Sequence, residues 1–251
     1  MDYMSLAAAI VDWMRAYLDR AGMDGYVVGL SGGVDSAAVA ALAVHAVGDE
    51  RTLGVLLPCH SQPEDAAYAQ LVASTLGLET QTVDLTAAYD AFVAAMPQGC
   101  ELAYANVKPR LRMTALYYIA QSNNCLVTGT GNRPEMMVGY FTKYGDGGVD
   151  IEPLGELYKH EVRGLARALN VPAAIIARPP TAGLWPGQTD EAELGITYDE
   201  LDAILCAMET ETTIPASEAI QARVREMVAT SAHKRALPPT FPIQRDLHRH
   251  G

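Results

Sequence analysis

Eight consecutive residues carry the first chemical signal of this 251-residue chain: Gly29-Leu30-Ser31-Gly32-Gly33-Val34-Asp35-Ser36. Adjacent glycines let the backbone turn sharply and aim amide N–H groups at one point. An apolar run (26–30) precedes the octet and a helical pattern (35–47) follows it, so the positive end of a helix adds to the same field. An oxyanion is the expected guest there, and Ser31 and Ser36 can offer it hydroxyl donors. Asp35 would repel an anion; its natural partner beside a phosphate is Mg2+. Taken out of context, the octet is also a strand-to-helix turn in which Asp35 or Ser36 caps the helix. It is neither Gly-x-x-x-x-Gly-Lys-[Ser/Thr] nor Gly-x-Gly-x-x-Gly.

The elements that must hold this loop can be read from the apolar spacing. A first amphipathic helix fits 4–20, with Leu6, Ile10, Trp13, Met14 and Tyr17 on one face. Short apolar runs at 26–30, 52–57, 80–85 and 125–130 then alternate with helical patterns at 35–47, 64–76, 86–95 and 107–121. That alternation predicts an α/β fold, a doubly wound and mostly parallel sheet with helices on both faces. Near-continuous apolar strands fit a sheet covered twice. Beyond 130, a Gly-rich stretch (143–150) and a Pro- and Gly-bearing segment (178–195) show little periodicity, and loops of this length are usually functional. Helical patterns resume at 158–169, 198–208 and 216–231. With no repeat and no dividing linker, the chain reads as one domain over 1–251.

Composition narrows the function classes. A net charge of -12 argues against nucleic acid as a partner. No apolar run reaches the roughly 20 residues that a membrane span requires, and the start lacks the basic region of a signal peptide. Cys59, Cys100, Cys125 and Cys206 are scattered without a Cys-x-x-Cys pair, which reads as reduced thiols in a cytoplasmic protein. Any polyanionic ligand must therefore be gripped by locally placed lysines and arginines.

The octet resembles the pyrophosphatase loop of the ATP pyrophosphatase superfamily, whose members split ATP between the α and β phosphates. Within it, several ordered segments resemble NAD synthetase. They are Arg110-Leu111-Arg112-Met113, then Thr128-Gly129-Thr130-Gly131-Asn132 with Glu135 close behind, then the run 139–150. Pro153-Leu154, Lys159, the segments 179–185 and 187–191, and His233-Lys234-Arg235 follow. The resemblance covers nearly the whole chain and implies an adenine nucleotide alpha hydrolase-like fold. It also implies ammonia-dependent amidation of deamido-NAD, with ATP as co-substrate and Mg2+.

The resemblance further implies roles for particular residues. The ATP site would comprise Gly29, Leu30, Ser31, Gly32, Gly33, Val34, Asp35 and Ser36, with Gln62, Thr130, Lys159 and Thr181. Glu135, just past a strand's C-terminal end, would join Asp35 on the metal. Arg110, Lys143, Asp150, His233 and Lys234 would surround deamido-NAD, and Asp150 would hold or deprotonate ammonia. Asp35, Lys159 and Asp150 form the implied catalytic set. Without such context Lys159 and Glu135 read as solvated side chains, and Lys143 and Asp150 as parts of a Gly-rich turn. One departure concerns an arginine that some members carry on the second strand, where this chain has Leu56-Leu57-Pro58.

The implied chemistry is attack of the nicotinate carboxylate on the α-phosphorus, then attack of NH3 on the resulting adenylate. The segment 178–191, with Trp185 between Gly183 and Gly187, is a candidate lid against water or else an ordered surface loop with Trp185 in an apolar contact. The loop begins about 30 residues into the chain, which leaves no room for a preceding glutaminase domain; a separate glutaminase partner stays open. A homodimer is implied by the family. A tRNA-thiolating enzyme, another amidating ligase and a non-catalytic nucleotide-binding regulator are the competing readings.

Overall fold

Strand β1 (Gly25–Gly29) is the centre of the molecule, because Tyr26, Val27 and Val28 are fully buried. The computed structural model describes residues 1–185, 187–213 and 216–243. β1 lies between β2 (Thr52–Leu56) and β4 (Cys125–Thr128), with β3 (Thr80–Thr82) beyond β2, and every pairing is parallel. The register sets Tyr26 beside Thr52 on one side and Leu126 on the other. Successive side chains serve opposite faces. Tyr26, Val28, Leu56 and Leu126 join one apolar cluster, while Val27, Val55 and Val127 join a second.

The first cluster is covered by α1 (Tyr3–Ala21), α2 (Val34–Val47), α3 (Pro63–Leu76) and α8 (Lys159–Ala168). α2 is apolar all round, with Ala37, Ala38, Val39, Ala40, Ala41, Leu42 and Ala43 fully buried, as befits a helix inside a core. Its alanines allow close approach of sheet and helices. The second face is covered chiefly by α6 (Val107–Ser122), through Ile119 and Ala120, with α4 (Thr86–Ala95) behind it. The expected doubly covered α/β sheet is therefore present.

The C-terminal part has its own apolar cluster, joining α7 (Arg133–Val138), α11 (Tyr198–Glu209) and α12 (Glu218–Thr230). Short helices α5 (Glu101–Ala105), α9 (Ala173–Ile176) and α10 (Asp190–Leu194) fill stretches where the sequence showed no lasting period. Segments of one or two turns are too short to display one.

Two sequence expectations need correction. The buried stripe of α1 is Ala7, Val11, Met14 and Leu18, whereas Trp13 is 42% exposed. Leu6, Ile10 and Tyr17 only flank that stripe, so reading large side chains as the inward face shifted it by one position. The strands also end earlier than their apolar runs: Leu30 N still donates to Val55 O and Val83 N to Leu56 O, but each lies just past its strand. The extra apolar residues line what lies above the sheet.

The chain leaves β1 toward β2 on one side, and β4 later joins on the other. Ligands in open α/β sheets bind at such a reversal, beyond the carboxyl ends of the strands.

Candidate active site

The 29–36 loop emerges at that reversal. α2 starts at Val34 with Gly33 as its N-cap and no side-chain cap, so its first-turn amides remain directed into the space above the sheet. The reading of Asp35 or Ser36 as the cap is thereby excluded. Gly32 is obligatory twice over. Its φ is +77°, and a Cβ there would lie 2.7 Å from Tyr68 Cβ and 2.9 Å from Asp65 O. The serines behave differently from expectation. Ser36 Oγ donates to Gly33 O at 3.1 Å and stands 3.0 Å from Ser31 Oγ, which accepts from Gly33 N at 3.2 Å. Their hydroxyls brace the loop against itself and occupy the Ser31 and Gly33 amides, so the first-turn amides of α2 are what it presents.

Asp35, in the first turn of α2, faces two other charged groups. Lys159 Nζ donates to Asp35 Oδ2 at 2.7 Å and to Glu135 Oε1 at 3.1 Å. Lys159 opens α8 and is 1% exposed, so its solvated reading fails. Burial works against its charge, yet Asp35 and then Glu135 hold the ammonium above the ordinary lysine range. Burial pushes the Glu135 carboxyl up to about 7 against the pull of Lys159, and Asp35 adds to the rise. Tyr198 OH lies 3.0 Å from Glu135 Oε1 and 3.1 Å from Asp190 Oδ2, bringing α11 and α10 into the network.

Asn132 is the organiser that the sequence reading passed over. As N-cap of α7 it accepts from Glu135 N at 3.1 Å, and its own N donates to Glu135 Oε2 at 3.3 Å. Its Nδ2 donates to Asp35 Oδ1 at 3.0 Å. One fully buried asparagine thus fixes both carboxylates. The signal was there: Asn followed three residues later by Glu is a capping-box pattern.

Asp35, Glu135, Lys159 and Asp190 line a cavity of about 780 Å³. The structure brings into it Gly29, Leu30, Ser31, Gly33, Val34, Asp35, Ser36, Gln62, Thr130, Glu135, Lys159, Thr181 and Lys234. Gly32 lies behind the loop, where its carbonyl accepts from Arg178 Nη1 at 3.3 Å. Thr128, at the end of β4, also lines the cavity; its buried Oγ1 has no hydrogen-bond partner among the described residues, so a ligand atom could satisfy it. Arg178, another residue not singled out beforehand, pairs with Asp65 and stacks 4.7 Å over the Tyr68 ring. It starts the 178–191 segment, in which Pro186 lies outside the described residues. That segment borders the cavity through 178–184, and Leu184 O accepts from Lys108 Nζ at 2.7 Å. Trp185 is 43% exposed.

The remaining expected residues do not line the cavity. Arg110 Nη2 donates to Lys143 O at 3.3 Å, and Lys143 Nζ donates to Ala236 O at 3.2 Å and also to His233 O. Lys234 Nζ, which does reach the cavity, donates to Gly139 O and Phe141 O at 2.7 and 2.9 Å. Arg110, Lys143, His233 and Lys234 therefore form a linked basic cluster running from the cavity edge outward. Asp150 is elsewhere. Its Oδ1 accepts from Tyr117 OH at 3.1 Å and its Oδ2 from Val127 N at 2.7 Å, at the outer edge of β4. Asp150 N and Gly129 N bond Val127 O and Ile151 O, so 150–151 pairs along that edge. Within this chain the Asp150 carboxylate closes a strand edge and stands outside the cavity lining.

Among the described residues no cluster of three or more His, Cys, Asp or Glu could hold a metal alone. Asp35 and Glu135 nevertheless form a hard, all-oxygen pair at one point. Such a pair suits Mg2+, which takes one or two carboxylates and completes its shell with water and phosphate oxygens.

A parallel sheet with an anion loop at its reversal, two carboxylates and a buried lysine defines an adenine nucleotide alpha hydrolase-like nucleotide-binding fold. The family model described as NAD synthase matches residues 6–238. The chain belongs to that family and, with it, is an enzyme of the ligase class. It is 47% identical over 249 residues to the NH(3)-dependent NAD(+) synthetase of Archaeoglobus fulgidus, covering 98% of this chain and 100% of that one. Among solved structures, the NMN synthetase of Francisella tularensis matches with a TM-score of 0.89 at 36% identity, covering 97% of this chain and 100% of that one. The NH3-dependent NAD synthetase of Campylobacter jejuni, in complex with nitrate, matches with a TM-score of 0.84 at 28% identity, over 96% and 100% of the two chains. Among the described residues no helix is long and apolar enough to cross a membrane.

Proposed function

We propose that this chain amidates deamido-NAD with ammonia, consuming ATP and releasing AMP, pyrophosphate and NAD. The observation that carries the proposal is the convergence of Asp35, Glu135 and buried Lys159 beside the first-turn amides of α2, which no side chain caps. Those amides and the α2 dipole would hold the pyrophosphate end of ATP. Gln62, Thr130 and Thr181 line the same cavity and would position the nucleoside part. Asp35 and Glu135 would hold Mg2+, which supplies charge neutralisation at the phosphates when bound. Lys159 would turn from this carboxylate pair toward the phosphates as they arrive.

A carboxylate is a poor acyl donor, so its oxygen must first become part of a good leaving group. Attack of the nicotinate oxygen on the α-phosphorus forms that bond and breaks the bond to pyrophosphate. Neutral NH3 then attacks the carbonyl carbon, AMP departs, and a proton is lost to give the amide. The basic cluster of Arg110, Lys143, His233 and Lys234 would take the dinucleotide's anionic groups. Asp150, exposed at the edge of β4, would contact deamido-NAD, since each of its oxygens keeps a lone pair beyond the bonds to Tyr117 and Val127. The 178–191 segment would exclude water from the adenylate. Equal protease cleavage of that segment with and without ATP would refute its closing on the nucleotide.

The decisive assay mixes protein, ATP, Mg2+, deamido-NAD and ammonia, with deamido-NAD omitted as control. AMP and NAD formed together support the reading; ADP with inorganic phosphate overturns it. A second reading, amidation of the corresponding mononucleotide, is favoured by the fold match to a protein named NMN synthetase. A higher kcat/KM on nicotinate mononucleotide than on deamido-NAD would select it. The proposal further takes the chain as one domain over 1–251, a cytoplasmic homodimer using free ammonia, with no nucleic acid partner and a separate glutaminase optional.

A further inference from the structure

Helix α6 turns two cations inward, one turn apart. Lys108 is 7% exposed, and its ammonium is held by Leu184 O and lies 5.7 Å from the Tyr89 ring centroid. Arg112 lines the cavity, where its Nε donates to Leu57 O at 3.1 Å and its Nη2 to Ser61 Oγ at 3.2 Å. Neither cation belongs to any ion pair among the described residues. In a chain of net charge -12, that isolation calls for a physical reason.

The acids in the neighbourhood are committed elsewhere. Asp65 pairs with Arg178 and accepts from Gln62 N, and Asp146 accepts from Thr142 N at 2.8 Å. Cys59, close to both cations, stays a thiol: burial pushes its pKa up, although Arg112 and Lys108 pull the other way. A guanidinium cannot shed its charge as a lysine can. Arg112 is therefore a fixed positive charge at a cavity wall, with two nitrogens locked and Nη1 making no hydrogen bond among the described residues.

We propose that Arg112 is an oxyanion receptor of the cavity, contacting a phosphate or carboxylate oxygen of a substrate. The contacts to Leu57 and Ser61 fix the guanidinium plane before the ligand arrives, so little rotamer freedom is lost on binding. The inference rests on the cavity being a nucleotide site. The oxygen belongs either to ATP or to the dinucleotide.

Calorimetry on the wild type, Arg112→Gln and Arg112→Lys separates these cases, with adenosine, AMP, ATP, deamido-NAD and NAD as titrants and a thermal melt to confirm folding. With ATP as the source, Arg112→Gln weakens AMP and ATP by about tenfold or more and leaves adenosine unchanged. With the dinucleotide as the source, deamido-NAD weakens similarly while AMP holds. NAD weakening to the same extent assigns the diphosphate, and NAD unchanged assigns the carboxylate. Arg112→Lys should retain part of the affinity in either case. Equal weakening of adenosine and AMP, or no change in any titration, reduces Arg112 to a brace and overturns the inference. A wild type that binds ATP but gives this second result leaves the proposed function standing. A wild type that binds no anionic titrant removes both.

Discussion

The 29–36 loop and the basic cluster of Arg110, Lys143, His233 and Lys234 were both expected to bind anions, yet they are built in opposite ways. The loop lies between two consecutive buried elements, β1 and α2, and its serine braces join residues within five positions of one another, with Tyr68, Asp65 and Arg178 closing over Gly32. The cluster draws on α6, the 139–150 turns and a C-terminal segment 90 or more residues away, where Lys143 Nζ and Lys234 Nζ donate to backbone carbonyls. The loop is preorganised by local chemistry. The cluster depends on tertiary docking, and its ammonium groups must exchange carbonyls for substrate oxygens. The contrast fits the proposed division of labour, with the ATP phosphates on the loop and the dinucleotide's anionic groups on the cluster.

That contrast predicts where substitutions will be most severe. Asp35→Asn should lower kcat on the order of 10²–10³-fold at a smaller cost in stability, about 1–3 kcal/mol, since the Asn carbonyl keeps one of the two bonds from Asn132 and Lys159 while its NH2 faces the other donor. Pyrophosphate release at the wild-type rate would remove the loop's acidic residue from the chemistry. Lys159→Met should act on folding as well. It leaves Asp35 and Glu135 facing each other with no cation in a site where Lys159 is 1% exposed. Breaking such a buried pair costs about 3–5 kcal/mol, measurable by urea unfolding. A loss below 1 kcal/mol in urea would mean that water already screens the pair.

How much of this could be read from the residues follows the same division. The sheet, its helices and the loop were legible because each depends on periodicity or on neighbours in the chain. Asn132 was partly legible through its capping pattern, but its bond to Asp35 spans 97 positions, and no local signal reports that. Lys159 looked like a solvated lysine because only the tertiary fold brings α8 against α2. Arg178 and Tyr198 escaped for the same reason. Asp150 was expected at the substrate because its segment resembles a substrate-binding run; that its carboxylate also satisfies the Val127 amide at a strand edge is something sequence cannot show.

Asp150 gives the third test. Asp150→Asn should cost about 1–3 kcal/mol through the bonds to Val127 N and Tyr117 OH, with kcat falling less than about tenfold. A hundredfold loss at unchanged stability would return Asp150 to the ammonia step and blur the line between the two regions.

The smallest effect concerns Glu152, which sits beneath the strand end that carries Thr130. Its Oε2 accepts from Gly131 N at 3.0 Å, and a side chain at Gly129 would collide with its carboxylate. Burial pushes its pKa up to about 8, against the Gly131 N–H, with the Glu135 charge assisting. The sign follows from linkage. Between the ordinary 4.5 and about 8 the folded state holds a proton that the unfolded state has released. Stability from this group is therefore present at low pH and lost as pH rises through that window. Glu152→Gln keeps an acceptor for Gly131 N but cannot ionise, so it should abolish that component. The melting temperature of the variant relative to wild type should climb steadily from about pH 5 to about pH 8. Parallel melting curves across the window would show that Glu152 is already ionised in the fold. The close approach of its carboxylate to Gly129 would then be a charge held beneath the nucleotide loop, and the phosphate side would be less purely cationic than its backbone amides make it.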